Sequence, residues 1–196
     1  TWSAETQKNA VLMAQEELFS YAFTLPRTQH KVNYIQHYED LYESGELKLR
    51  IYAMPMLNST DSAEAGYIRD DGPVNGLYDN HLSIMGVKVL GDGALGSRGS
   101  ALLEDYSDDP AIVVHTAFGR GDLQRDEPAY NNGYQIAYHA IGDGAVRNTL
   151  TLENAIKENG ERADRRYTMT HVCAVADEDI KRIADLEVIS ALQFLW

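Results

Sequence analysis

The chain has 196 residues, 44% of them hydrophobic, enough to bury a core and to make a single domain over residues 1–196 the expectation. Lys and Arg total 17 against 30 Asp and Glu, a formal charge of −13, and no basic stripe is present, which argues against nucleic acid as a partner. Apolar runs such as 111–114 fall far short of the roughly 20 residues a membrane helix needs. The lone Cys173 excludes an internal disulfide and fits a reducing compartment, so the expected location is cytoplasmic. Thr1-Trp2-Ser3-Ala4-Glu5 carries neither the basic nor the apolar part of a signal peptide.

Ser3 is placed to cap a first helix, over about 4–20, with Val11, Ala14, Leu18 and Phe19 at helical spacing. Tyr21 to Leu25 reads as a short strand stopped by Pro26. Val32, Ile35, Tyr38 and Tyr42 mark an amphipathic helix ending near Ser44-Gly45, and Leu47 to Met56 reads as the next strand. Asn58 to Asn80 is rich in turn residues and is expected to be connecting loop with one short helix. A strand over Ile84 to Leu90 leads into Gly91 to Arg125, a long irregular segment with six glycines. Tyr134 to His139 is a strand, Asp143 caps a helix that Asn159-Gly160 ends, Tyr167 to His171 is a strand, Asp177 caps a further helix, and Val188 to Phe194 is a last strand. This alternation predicts a parallel α/β architecture, either barrel or open sheet. With roughly six strands where a (β/α)8 barrel needs eight, the expectation is an internal piece of a longer chain, with the first and last parts of the barrel missing.

Three polar residues close apolar strands. His139 and His171 lie 32 positions apart, about one strand-helix-strand unit, so parallel neighbours would present both imidazoles at one mouth of the sheet. A divalent cation that activates water needs neutral imidazoles or carboxylates on rigid elements. A lone buried histidine is more readily explained by backbone partners; the pair is what points to a metal. Lys88 sits in Gly86-Val87-Lys88-Val89-Leu90, where a parallel strand should be apolar, so its ammonium must reach solvent, pair with Asp92, or lose its charge. A neutral lysine amine can take up carbon dioxide as a carbamate and bridge two metals.

Gly91-Asp92-Gly93-Ala94-Leu95-Gly96 matches G-x-G-x-x-G, but Ser97-Arg98-Gly99-Ser100 interrupts the helix that a dinucleotide site requires. The glycines suit a loop passing close over a substrate, with Asp92, Gly93 and Arg98 as its candidate contacts. His115 is read as a loop histidine, His30, His37 and His81 as ordinary polar residues, and Cys173 as a small core residue.

The run from Gly86 to Gly99, together with His139-Ala140-Ile141-Gly142-Asp143, Thr170-His171 and Leu192-Gln193, resembles the amidohydrolase superfamily, in the branch called amidohydrolase family 3, or YtcJ-like. The resemblance implies a metal-dependent hydrolase on a distorted (β/α)8 barrel. Such an enzyme cleaves amide-like, non-peptide C–N bonds of a small-molecule substrate with water activated by one or two divalent ions, usually zinc. By position, Lys88 would be the bridging lysine, carboxylated where two metals bind, and His139 and His171 the histidine ligands. The His-x-His pair of a first strand and the aspartate that serves as general acid/base have no counterpart in this chain, so the fragment alone is expected to be inactive. The sequence departs from the family pattern at Val172-Cys173, which follow His171, and at Phe194 after Gln193. Two other readings stay open: a catalytically silent binding or regulatory protein on the same scaffold, and a nucleotide-binding oxidoreductase. A homo-oligomer is also left open.

Overall fold

The computed structural model describes residues 2–31, 33–57, 72–114, 128–158, 164 and 166–193. Helix α1 (Ala4–Ser20) opens as its sequence predicts, the Ser3 hydroxyl oxygen accepting the Thr6 N–H at 3.2 Å. It packs on α2 (Asn33–Glu43), where Lys8 pairs with Asp40 at 2.6 Å and His37 Nε2 meets Gln7 Oε1 at 3.2 Å. Between the two helices the expected strand Tyr21–Leu25 is replaced by β1 (Arg27–His30). The N–H groups of Tyr21, Ala22 and Phe23 fold back onto the Leu18 and Phe19 carbonyls to finish α1, so they are lost to any sheet. Pro26 then stands at the strand entrance, where its carbonyl alone is needed and accepts the Tyr52 N–H at 3.2 Å.

Strand β2 (Ile51–Pro55) also starts later than expected. Buried Gln15 of α1 takes the N–H groups of Lys48 and Leu49 on its Oε1, at 2.6 and 3.3 Å, and its Nε2 donates to the Glu46 carbonyl at 3.2 Å. Residues 47–50 therefore belong to a helix-to-sheet tie instead of a ladder. Within 58–80, residues 58–71 lie outside the described residues; 72–80 hold a short strand, β3 (Val74–Gly76), and a turn over Leu77–Asn80 with Tyr78 and Asp79 left-handed.

The strand expected over Ile84–Leu90 runs as β4 (Leu82–Ile84) and β5 (Gly86–Leu90), interrupted at Met85. After it come β6 (Gln135–Ala140), α3 (Asp143–Glu158), β7 (Thr168–His171), α4 (Asp177–Asp185) and β8 (Ile189–Leu192). One four-stranded sheet has the order β1-β2-β4-β3, parallel except for β3; the other, β5-β6-β7-β8, is parallel throughout. A parallel bridge between Met56 and Lys88 joins them, with the Leu57 N–H donating to the Lys88 carbonyl at 2.8 Å. The mixed α/β fold with parallel sheets is thus the architecture that the alternation predicts. At α4 the residue ahead of the helix is Ala176, and Asp177 is its first residue, one of three acids in a turn where the helix dipole favours negative charge.

Alternation along the strands sorts the side chains. Val87 and Val89 of β5 and Ile136 and Tyr138 of β6 are fully buried in one cluster with Ile35, Tyr38 and Leu41 of α2 and Leu152 and Ile156 of α3. A second cluster joins Ala145, Val146 and Leu150 of α3 to Ala140, Met169, Val172 and Val188. The opposite face of the same strands is left for Lys88, Ala137, His139, Thr168 and Thr170. Gly86 belongs to that face by alternation, and a Cβ there would lie 2.4 Å from Met54 Cε and 2.8 Å from the Gln135 carbonyl oxygen, which leaves room only for glycine. Among the described residues no helix is long and apolar enough to cross a membrane.

Candidate metal centre

Register brings the candidate ligands together. Leu90 pairs with His139 and His139 with Thr170, so Lys88, two residues before Leu90, points to the same face as His139 and Thr170. By strict alternation His171, the residue after Thr170, would point into the helix layer. It does not, because His171 takes φ 86° and Val172 φ 43°, both left-handed. That step shifts the phase of the strand end, turning the imidazole to the Lys88 face while Val172 stays buried against α3. The two rings meet edge to face with centroids 4.4 Å apart. A β-branched residue at positive φ is strained by roughly 1–2 kcal/mol. Two backbone bonds hold it: Val172 N–H to the Ala140 carbonyl at 2.9 Å, and Ala174 N–H to the Ile141 carbonyl at 3.0 Å.

His139 is largely enclosed, its side chain 17% exposed, and its Nε2 is buried with no hydrogen-bond partner. Burial, reinforced by His171 and Lys88, pushes the imidazole down to about 4, so it is neutral at physiological pH with a lone pair to offer. His171 Nδ1 faces Gln193 Oε1 at 2.5 Å; with the amide oxygen as acceptor, Nδ1 carries the proton and the lone pair falls on Nε2. Lys88 is 3% exposed, and burial, with a smaller contribution from Arg27, pushes its amine down to about 8. Its partner is the Thr170 hydroxyl, which in turn donates to the Tyr138 carbonyl at 2.9 Å; Asp92, the partner weighed from sequence, is engaged elsewhere.

The Asp92 carboxylate is buried and accepts three backbone N–H groups: Ile141 at 3.0 Å on Oδ1, and Gly142 at 2.9 Å and Ala101 at 3.1 Å on Oδ2. Oδ1 lies 3.7 Å from His139 Nε2, beyond hydrogen-bond range. Gly93 closes the loop on itself, its N–H donating to the Gly99 carbonyl at 2.8 Å and its own carbonyl accepting from Ser100 Oγ at 2.7 Å. In place of the helix required by a dinucleotide site, Leu95–Ser97 form one 3-10 turn that ends at left-handed Arg98. Arg98 pairs with Asp108 at 2.7 Å and holds that carboxyl below its usual range. It also lines a cavity of about 730 Å³ bordered by Leu103, Tyr106, Asp143 and Glu178, all in segments that follow β5, β6 and β7. Cys173 is half-buried where a core position was expected, and burial pushes its thiol up. His115 lies outside the described residues.

Among the described residues no three of His, Cys, Asp and Glu converge on a cation, so the candidate set is one amine and two imidazoles. The set fits a divalent cation on the chemistry of its donors: one unpartnered buried ring nitrogen, a second ring oriented by an amide, and a lysine amine whose proton is weakly held. Lys88, Thr170 and Gln193 contribute contacts that sequence spacing alone does not pair with one another.

Parallel strands carrying histidines at their carboxyl ends place the chain among mixed α/β folds, in which that end of the sheet is where chemistry is built. A family model described as the amidohydrolase family matches residues 3–196, and the chain belongs to that family. Among curated proteins it is 36% identical over 110 residues to YtcJ of Bacillus subtilis strain 168, named as an amidohydrolase, a match that spans 55% of this chain and 20% of that one. It is 32% identical over 114 residues to Protein LONG AFTER FAR-RED 3 of Arabidopsis thaliana, spanning 57% of this chain and 19% of that one. Two crystal structures superpose with TM-scores of 0.79: an uncharacterized metal-dependent hydrolase of Pyrococcus furiosus, 27% identical over 97% of this chain, and one of Pyrococcus horikoshii OT3, 26% identical over 98%. The chain covers 38% of each of those structures.

Proposed function

We propose that this chain is the metal-holding part of a longer hydrolase that cleaves amide-like, non-peptide C–N bonds in a small molecule, its parallel strands forming an arc of a (β/α)8 barrel. What supports this is the meeting of His139 and His171 at 4.4 Å beside buried Lys88, with His139 Nε2 buried and unpartnered, in a chain of the amidohydrolase family. Lys88, His139 and His171 would hold one or two divalent ions, zinc by family analogy. An ion there would polarise a substrate carbonyl and acidify a water.

The chain's own residues prepare that chemistry. His139 stays neutral because its charged form is desolvated, and Gln193 fixes the proton of His171 on Nδ1. The desolvated Lys88 amine is uncharged often enough near pH 8 to form a carbamate, with the Thr170 hydroxyl holding its nitrogen in place. Arg98, on the wall of the 730 Å³ cavity, remains the candidate contact for a substrate carboxylate or carbonyl. None of the described residues is assigned the proton shuttle.

Metal analysis and amide turnover of the full-length protein test the reading. Stoichiometric divalent metal, with hydrolysis lost to a chelator and restored by Zn²⁺, is the expected result. Absence of both metal and turnover would favour the silent binding protein on the same scaffold.

A further inference from the structure

Asp92 sits in the segment expected to contact substrate, yet both its oxygens are spent inside the chain. We propose that Asp92 is a positioning residue: its carboxylate clamps the turn between β6 and α3 and so fixes where His139 stands. The inference rests on the metal-site reading above. The residues just after His139 are held from both sides. On the β5 side, Gly91 N–H donates to the His139 carbonyl at 3.0 Å, and the next residue, Asp92, takes the N–H groups of Ile141 and Gly142. On the β7 side, Val172 N–H donates to the Ala140 carbonyl and Ala174 N–H to the Ile141 carbonyl.

The third Asp92 bond recruits a further layer. Ala101 N–H donates to Oδ2, while the Ala101 carbonyl accepts from Gly144 N–H at 3.1 Å and Ala145 N–H at 3.3 Å, capping the first turn of α3. The Asp143 carboxylate returns the tie by accepting the Leu103 N–H at 2.9 Å. The fit leaves no slack: a Cβ at Gly142 would lie 2.0 Å from the Ala101 carbonyl oxygen. Three N–H donors hold this buried carboxylate through both oxygens, and turning it toward a substrate would strand those donors in the interior. Its closest approach to the site is electrostatic, 3.7 Å from His139 Nε2. Asp92 therefore acts on the cation through the backbone that carries His139.

The test uses the metal-free full-length protein and Co²⁺ as the probe. In the unaltered protein the amides of Ala101, Ile141 and Gly142 should be protected from hydrogen exchange before any metal is added. Asp92→Asn, isosteric but presenting an NH₂ to donor groups, should lose protection at those amides. It should also weaken Co²⁺ binding by about 10- to 100-fold and alter the visible absorption of the bound ion, at temperatures where the variant remains folded. A variant that binds Co²⁺ as tightly as the original with an unchanged spectrum overturns the proposal. So do three amides that exchange freely in the unaltered protein, a measurement that holds even if the variant fails to fold. If the unaltered protein takes up no Co²⁺ while the amides are protected, the metal-site reading fails, and the positioning role with it.

Discussion

The histidines of the two sheets are used in opposite ways. In the sheet built on β1, β2, β3 and β4, His81 Nδ1 lies 2.9 Å from the Tyr78 carbonyl and 3.0 Å from that of Asp79, and His37 at the α1–α2 contact meets Gln7. Each is answered by a neighbour through one ring nitrogen; His37 Nδ1, like His139 Nε2, is buried without a hydrogen-bond partner, but His37 stands on regular helix with its ring edge to face on Tyr34. In the sheet of β5 to β8, His139 keeps a buried nitrogen without a partner, and His171 is brought beside it by strained backbone. The lesson is that unspent hydrogen-bonding capacity combined with backbone strain, more than the presence of histidine, separates a candidate site from a scaffold.

The sharpest way to break that contrast is substitution in the full-length protein. His139→Ala and His171→Ala are each expected to abolish stoichiometric metal and metal-dependent turnover, whereas His81→Ala should keep both; elemental analysis of the purified proteins decides it. Equal metal loss in all three variants would erase the distinction between the sheets. Gly142→Ala is expected to cost about 3 kcal/mol, seen as a lower denaturant midpoint, because the added methyl must displace the Ala101 carbonyl. A variant as stable as the original would mean that the β6–α3 turn is not tightly clamped.

The pH dependence of stability sharpens the comparison further. His139 titrates near 4 when folded against about 6.5 when unfolded, so below pH 6.5 the unfolded chain binds more protons. Its neutral burial is therefore fully tolerated above pH 6.5, and stability falls as pH drops toward 4, by at most about 3 kcal/mol and less to the extent that solvent reaches the ring. Urea unfolding of metal-free protein at pH 7 and pH 5 should show this decline, and His139→Gln should reduce it. The smallest effect is expected in the other half, at Ser3→Ala, where loss of the α1 cap should cost about 1 kcal/mol with no change in metal content. Thermal unfolding and metal analysis of that variant check both parts.

Local signals carried much of the fold. The apolar runs around Val87, Ile136 and Met169, and the helices after Asp143 and Asp177, are visible because burial period and helix entry are written in adjacent residues. The misplaced first strand shows where that fails: Tyr21 to Leu25 is apolar, but its amides finish α1, and the true strand, Arg27-Thr28-Gln29-His30, is polar. Lys88, His139 and His171 stood out in the sequence as strand-end polar residues. The left-handed step that aims His171 did not, since neither His171 nor Val172 is a glycine. Nor could spacing pair Lys88 with Thr170, 82 positions away, or reveal that Asp92 spends itself on backbone from two distant segments.

That left-handed step has a consequence for how the molecule tolerates change. Two consecutive residues, Thr170 and His171, meet Lys88 and His139 respectively, while Val172 packs in the cluster with α3, so a candidate ligand and a packing residue sit side by side in sequence yet answer to different constraints. A substitution at Val172 that relaxes the chain into ordinary pleating would rotate the imidazole away from His139 without touching a single atom of its ring.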